Sequence, residues 1–334
     1  MPPDHPVRAP GAAGAAGTAG PAAVPPARRA RPVLPAVTVV VRRPGRPTAA
    51  PAVPTAPPPD RVDLWLVPRP VALRAEELAW DELDAAERAR AGAFVRPGDR
   101  LLYAAAHVAL RRLLGGYTAT RPGRVRLIRE PCPRCGRPHG RPVLAPPAPP
   151  VHFSLSHSGD LALVGVAARP IGVDVQRLPG DAAVALCLPA LHPDERAELL
   201  ALPPGAARRA LFGRVWTRKE AYLKGLGTGL HRPPGADYLG ADPDRHPDGW
   251  TVTGIPCDPG HAAAAAVRGA PPAVAEVRRW PESWLAAPAP VPLPTPPHQG
   301  GTTHVRSTGH DRDRGHPPAP RRHPARDQED DPRG

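Results

Sequence analysis

HFSLSHSGDLALVGVAARPIGVDVQ, running from His152 to Gln176, is the stretch that decides the architecture. Its alternating and β-branched residues predict strands over residues 152–155, 161–167 and 171–176, with Gly159 closing the first turn. Working outward, RVDLWLVP alternates Val62, Leu64 and Leu66 with Asp63 and Trp65 and reads as an opening strand, and residues 125–130 read as another. Two helices are predicted between them, one over about residues 74–93 and one starting after Pro97 and Gly98 and reaching Gly115. Downstream, a helix after Pro193, a longer one over about residues 206–225, and strands over residues 250–255, 263–267 and 273–280 complete a second half. Strands and helices mixed within two successive halves predict an α+β fold with antiparallel sheets, not a doubly wound parallel sheet. The absence of GxGxxG and GxxxxGK[ST] patterns argues against dinucleotide and P-loop folds.

The 334 residues include 54 prolines and 32 glycines, more than a packed domain carries, and the excess lies at the ends. Residues 1–59 (Pro, Ala, Gly, Arg) and 288–334 (Pro, His, Arg, Asp) are expected to be disordered tails, because such compositions bury too little apolar surface to offset chain ordering. Residues 60–178 and 179–287 are expected to form two lobes. The net charge is +13, and the N-terminal tail contributes seven arginines against Asp4. That tail opens an alternative function, a non-enzymatic polyanion-binding or scaffold protein, yet no RNA-binding signature, finger or basic heptad region points to nucleic acid. A negatively charged small ligand or an acidic protein partner accounts equally well for a basic core. Four cysteines without a secretory signal predict a cytoplasmic protein and no disulfide framework. The run VLPAVTVVV is broken by Pro35 and flanked by arginine, so neither a signal peptide nor a membrane span is expected. PCPRCGRPH sets Cys132, Cys135 and His139 at zinc-like spacing without a fourth ligand nearby; the alternative is a polar loop with two free thiols.

Of 44 basic side chains only Lys219 and Lys224 are lysine, and both fall in WTRKEAYLKGLGTGL. On a helix Trp216, Glu220 and Lys224 share one stripe, with Lys219 on its flank, so a carboxylate and a compact ammonium meet. An isolated Glu–Lys pair is a surface contact, but here the neighbours Tyr222 and Leu223 predict partial burial. Asp174 and Gln176 share one face of an apolar strand, where a carboxylate must be solvated at the strand end, paired, or bound to an oxygen-liganded ion such as Mg²⁺. His157, between Ser156 and Ser158, sits at a turn where hydroxyls and an imidazole either face water or gather around an anion.

In this order and spacing, FSLSHSGDLALVGVA, IGVDV and WTRKEAYLKGLGTGL resemble the surfactin-type 4'-phosphopantetheinyl transferases. DAAERARAGAFVRPGDRLLYAAAHVALRRLL and GRPVL extend the likeness over about residues 60–285. The resemblance implies a pseudo-dimer of two similar α+β lobes with coenzyme A between them. It implies an Mg²⁺-dependent monomeric transferase that moves phosphopantetheine onto a serine of an acyl or peptidyl carrier protein in polyketide or nonribosomal peptide biosynthesis. It makes Asp174 and Glu220 magnesium ligands and Lys224 the contact to the transferred phosphate. Ser156 and His157 would meet the coenzyme's phosphates, as would Lys219 from the flank, with Arg141 and Pro142 at the nucleotide and Arg88, Arg90 and Arg100 nearest the 3'-phosphate. Gln176 departs from the pattern. Many relatives have glutamate there, and an amide oxygen carries no charge and takes no proton, which leaves Glu220 as the favoured base.

Overall fold

The computed structural model describes residues 38–42, 57–133, 135–272 and 274–287. The remaining tail residues, 1–37, 43–56 and 288–334, lie outside the described residues. In chain order the elements are β1 (Thr38–Arg42), β2 (Arg61–Pro68), α1 (Ala85–Gly92), α2 (Pro97–Thr118), β3 (Leu127–Arg129), β4 (Pro142–Leu144), β5 (His152–Ser158), β6 (Leu161–Ala167) and β7 (Ile171–Arg177). They continue with α3 (Asp181–Cys187), α4 (Pro193–Leu200), α5 (Ala206–Leu226), β8 (Trp250–Gly254), β9 (His261–Arg268) and β10 (Val274–Arg279). The fold is α+β.

The larger sheet has strand order β1-β10-β2-β6-β5, the second is β7-β9-β8, and β3 and β4 form a hairpin. The antiparallel expectation holds for β2, β6 and β5 and for the whole second sheet. It fails at one edge: β10 returns to pair parallel with β2, and β1 pairs parallel with β10. Within the stretch whose composition predicts a disordered tail, TVVVR forms β1, three consecutive valines being well suited to a pleated edge.

The two sheets share one layer of side chains. Val62, Leu64 and Leu66 of β2 and Leu161 and Leu163 of β6 pack against Ile171, Val173 and Val175 of β7 and Ala263, Ala265 and Val267 of β9. Burial of each valine, leucine or isoleucine there contributes about 1.5–3 kcal/mol. The opposite face of the larger sheet, with Trp65, Val67, Phe153 and Val164, is covered by α2 through Leu102, Ala106, Leu110 and Leu113. The opposite face of the second sheet is covered by α5, where Ala221 and Tyr222 meet Ala264 and Ala266. Period two thus sorts each strand between the shared layer and a helix.

The single helix predicted over residues 74–93 is instead two 3-10 turns, Ala75–Glu77 and Trp80–Glu82, followed by α1. Asp84 starts α1 with a capping box: its side chain accepts from Glu87 N at 2.8 Å and Glu87 Oε2 accepts from Asp84 N at 2.9 Å. Buried Arg111 of α2 then donates to Glu87 at 2.6 Å and to Asp84 at 2.6 Å, fixing the cap against the long helix.

Candidate active site

The site forms where β7 crosses α5. Gly172, Asp174 and Gln176 occupy the helix-facing side of β7, opposite the apolar Ile171, Val173 and Val175. The crossing is close: a Cβ on Gly172 would lie 1.9 Å from the Ala221 carbonyl oxygen and 2.4 Å from Gly225 N. Only glycine fits such an approach, and one alternation along β7 Asp174 comes level with the last turns of α5.

Asp174 is fully buried, and its two oxygens are both engaged. Oδ1 accepts from Ser156 Oγ at 2.7 Å and from Lys224 Nζ at 2.6 Å; Oδ2 accepts from Gln176 Nε2 at 3.2 Å. Glu220, one helical turn before Lys224, makes no hydrogen bond or ion pair among the described residues. Burial raises its pKa, the charge of Asp174 raises it further, and Lys224 pulls it back in part. The two carboxylates thus act on one another electrostatically, and one ammonium acts on both.

Beside this cluster opens a cleft of about 1160 Å³. Lys224 and His157 line it, together with Arg90 of α1, Tyr103 and His107 of α2, Arg129, Arg141 and Pro142 of the β3–β4 hairpin, and Thr228 and His231 after α5. The cleft is predominantly cationic, with Asp84 and Glu87 the acids on its wall. Burial lowers the pKa of His157, and nearby His107 and Lys224 add to the shift, so its imidazole is neutral at neutral pH. The buried Thr228 hydroxyl has no partner among the described residues, which suits a wall that meets a polar ligand.

Of the residues singled out from the sequence, the structure brings together Asp174, Gln176, Glu220, Lys224 and Ser156, and it sets His157, Arg90, Arg141 and Pro142 on the adjoining cleft. Four expectations need correction. Lys219 is 1% exposed and donates to Pro234 O at 2.8 Å, Asp237 O at 2.7 Å and Glu195 Oε2 at 2.7 Å. With three protons and three partners it holds α4, α5 and the following loop together and has no proton left for a phosphate. Ser156, 6% exposed, spends its hydroxyl on Asp174 and does not line the cleft. Arg88 turns back to the carbonyls of Trp80 and Leu83, and Arg100 lies over the Trp80 ring at 5.2 Å, so neither reaches the cleft wall.

Arg141 is on the wall but also structural, bonding Glu130 at 2.6 Å and the Gly225 carbonyl at 3.0 Å. Residues missed from sequence include Tyr103 and His107, one helical turn apart on α2 with ring centroids 4.2 Å apart, and Arg129. Their helical spacing was visible, but nothing in it separated a cleft wall from ordinary packing.

The sequence pattern of the 4'-phosphopantetheinyl transferase superfamily matches residues 170–254, a span that contains Asp174, Gln176, Glu220 and Lys224. The chain is 36% identical to 4'-phosphopantetheinyl transferase HetI of Nostoc sp. over 177 residues, 51% of this chain and 70% of the relative. The chain belongs to the 4'-phosphopantetheinyl transferase family. It is also 37% identical over 93 residues to 4'-phosphopantetheinyl transferase psf-1 of Bacillus pumilus, 28% of this chain and 38% of that one. With a 4'-phosphopantetheinyl transferase of Bacillus subtilis it shares 33% identity over 96 residues, 28% and 41% of the two chains. Among the described residues of this transferase no helix is long and apolar enough to cross a membrane.

Proposed function

We propose that this transferase is of the surfactin type: it binds coenzyme A in the cleft and moves the phosphopantetheinyl arm to a serine of an acyl or peptidyl carrier protein, releasing 3',5'-ADP. The observation that carries the reading is the meeting of Asp174, Glu220 and Lys224 beside a cationic cleft that Lys224 itself lines. We propose further that it acts as a monomer in a cytoplasmic setting.

The donor set fits magnesium. It offers two carboxylates and one amide, all oxygen donors; the pKa of Glu220 is raised first by burial and then by the charge of Asp174, a repulsion that a divalent cation would relieve. Asp174 and Glu220 would hold the ion, with Gln176 beside them after its amide turns its oxygen inward. When bound, Mg²⁺ neutralises the coenzyme's pyrophosphate and polarises the phosphorus under attack.

The side chains do the rest. Ser156 fixes Asp174 through its hydroxyl and so positions the carboxylate without touching substrate. His157 Nδ1 or Nε2, uncharged, donates a hydrogen bond to a phosphate oxygen, while Arg90, Arg129 and Arg141 match the remaining negative charge. Glu220 takes the proton of the carrier serine as the serine oxygen bonds to phosphorus and the bond to the departing ADP oxygen breaks. Lys224 meets the charge on that oxygen. A basic surface steers an acidic carrier toward the cleft.

The test is to incubate the full chain with coenzyme A, Mg²⁺ and an apo carrier protein and to measure the intact mass of the carrier. The carrier should gain one phosphopantetheinyl group, and only when Mg²⁺ is present. Unchanged mass across fatty acid, polyketide and peptidyl carriers would overturn the assignment.

A further inference from the structure

Cys132, Cys135 and His139 play no part in the chemistry above, yet the structure gathers them. All three lie in the connection between β3 and β4, and their ligand atoms fall within 4.8 Å of one another. Cys135 Sγ and His139 Nε2 are 2.9 Å apart. The turn that achieves this is built from backbone bonds: Gly136 N donates to Cys132 O at 2.9 Å, and Cys132 N donates to Arg137 O at 2.8 Å. Gly136 has φ of +70°, where an L side chain is strained, and there the chain reverses so that His139 comes back to the two sulfurs.

Little else holds this loop. Cys132 is 3% exposed, but every described residue from 133 to 139 is exposed. Two thiols and an imidazole converging in a segment without a core fit zinc, which takes sulfur at about 2.3 Å and nitrogen at about 2.0 Å, so its ligand atoms stand roughly 3.5 Å apart. The 2.9 Å between Cys135 Sγ and His139 Nε2 is somewhat shorter than that value, and the other spacings stay within 4.8 Å.

A second imidazole lies beside His139. His231, exposed on the 3-10 turn Gly229–His231 after α5, has its ring centroid 5.5 Å from that of His139, with the planes at 45°. Two imidazoles on one tetrahedral zinc have centroids about 5 Å apart, given a metal–nitrogen distance of about 2.0 Å. Sequence spacing hid this residue, because His231 lies in the other half of the chain.

We propose that Cys132, Cys135, His139 and His231 bind one structural zinc ion that ties the β3–β4 connection to the segment following α5. Pro138, His139, Gly140 and Arg141 on one side and Thr228, Gly229 and His231 on the other all line the cleft, so the ion fixes the cleft wall where the two halves of the chain meet. Two thiolates cancel its charge, so the ion shapes the cleft without adding to its positive field.

Zinc is to be measured by mass spectrometry of the elements in full-length protein expressed with zinc and dialysed against a weak chelator. Wild type and a Cys187→Ser/Cys257→Ser variant should carry one zinc per chain, and Cys132→Ser/Cys135→Ser should carry none. Cys135→Ser alone, at an exposed position, serves should the double variant prove insoluble. Cobalt substituted for zinc should give the sulfur charge-transfer band and the intense visible bands of a tetrahedral site, and His231→Ala should alter those bands and weaken metal binding about tenfold or more.

Wild type without zinc, a Cys132–Cys135 disulfide in freshly purified protein, or zinc retained by the cysteine variants would overturn the proposal. So would a His231→Ala variant with unaltered cobalt bands and affinity, since the tie between the walls would then be absent. None of these readouts requires turnover, so their failure leaves the transferase reading untouched.

Discussion

Lys224 Nζ lies 2.6 Å from Asp174 Oδ1, joining the last turn of α5 to the middle of β7. The aspartate side chain is 1% exposed and the lysine 32%, so the carboxylate is locked in place while its cation keeps one side on the cleft. A lysine on a flexible stem can leave the carboxylate for a phosphate oxygen, whereas a guanidinium is broader and holds a carboxylate in a two-point fork. Lys224→Arg is therefore expected to retain its fold by circular dichroism and to lose turnover by on the order of a hundredfold. Near-normal kcat in that variant would remove the argument.

The closeness of β7 and α5 depends on Gly172. Any Cβ there would collide with backbone atoms, which cannot rotate away. Gly172→Ala is expected to cost about 1–3 kcal/mol in urea unfolding and to reduce kcat, because Asp174 moves away from the helix that carries Glu220 and Lys224. Gly180→Ala, where a Cβ meets nothing within 4 Å, is the control and should change neither.

Much of this arrangement was legible in the sequence, for physical reasons that also mark the limit. The strands over residues 152–177 and the helices α2, α4 and α5 announce themselves through period, with Pro97 and Pro193 as start signals for α2 and α4, and these signals depend only on neighbours along the chain. Asp174 and Gln176 share a face because strands alternate, and Glu220 and Lys224 share a stripe because helices repeat, although Lys224 pairs with Asp174 and not with Glu220. By contrast, the parallel pairing of β10 with β2 joins residues more than two hundred positions apart, and no local signal carries it. The predicted helix over residues 74–93 breaks because the Asp84 cap is held by Arg111 of another helix. Lys219 looked like a phosphate contact for the same reason: its real partners, Glu195, Pro234 and Asp237, are supplied by tertiary structure alone.

Lys219 gives a prediction opposite to that for Lys224. Removing one member of a buried ion pair strands the other, at a cost of about 3–5 kcal/mol, so Lys219→Met should lower stability by that order. Adding Glu195→Gln should recover part of the loss. KM for coenzyme A, measured at low temperature where the variant is folded, should not move; an increase would return Lys219 to the binding site.

Glu87 predicts a pH effect on stability. Burial pushes its pKa up, but hydrogen bonds from His107, from the Asp84 backbone and from Arg111 outweigh it, and the net shift is downward. A carboxyl group with a depressed folded pKa stabilises fully above its unfolded pKa and loses that contribution as pH falls through the folded one. Stability should therefore decline as the pH is taken down through the carboxylate range, and Glu87→Gln should flatten the decline. An equally steep decline in the variant would assign the effect to other acids.

Gln176 donates to Asp174 at 3.2 Å, close enough for a carboxylate at the same place to join the ion site. Gln176→Glu should retain activity and reach half-maximal rate at a lower Mg²⁺ concentration. A higher requirement would show that position 176 does not contribute to holding the ion.

The central claim is that Asp174 and Glu220 share one divalent ion, and Mn²⁺ reads it without turnover, being a hard cation that prefers oxygen over the thiolates of the β3–β4 loop. The measurement is paramagnetic titration of Mn²⁺ with coenzyme A bound, in wild type, Asp174→Asn and Glu220→Gln. The account predicts one site in wild type, weakened at least tenfold by either substitution. Binding as tight as wild type in either variant would contradict it.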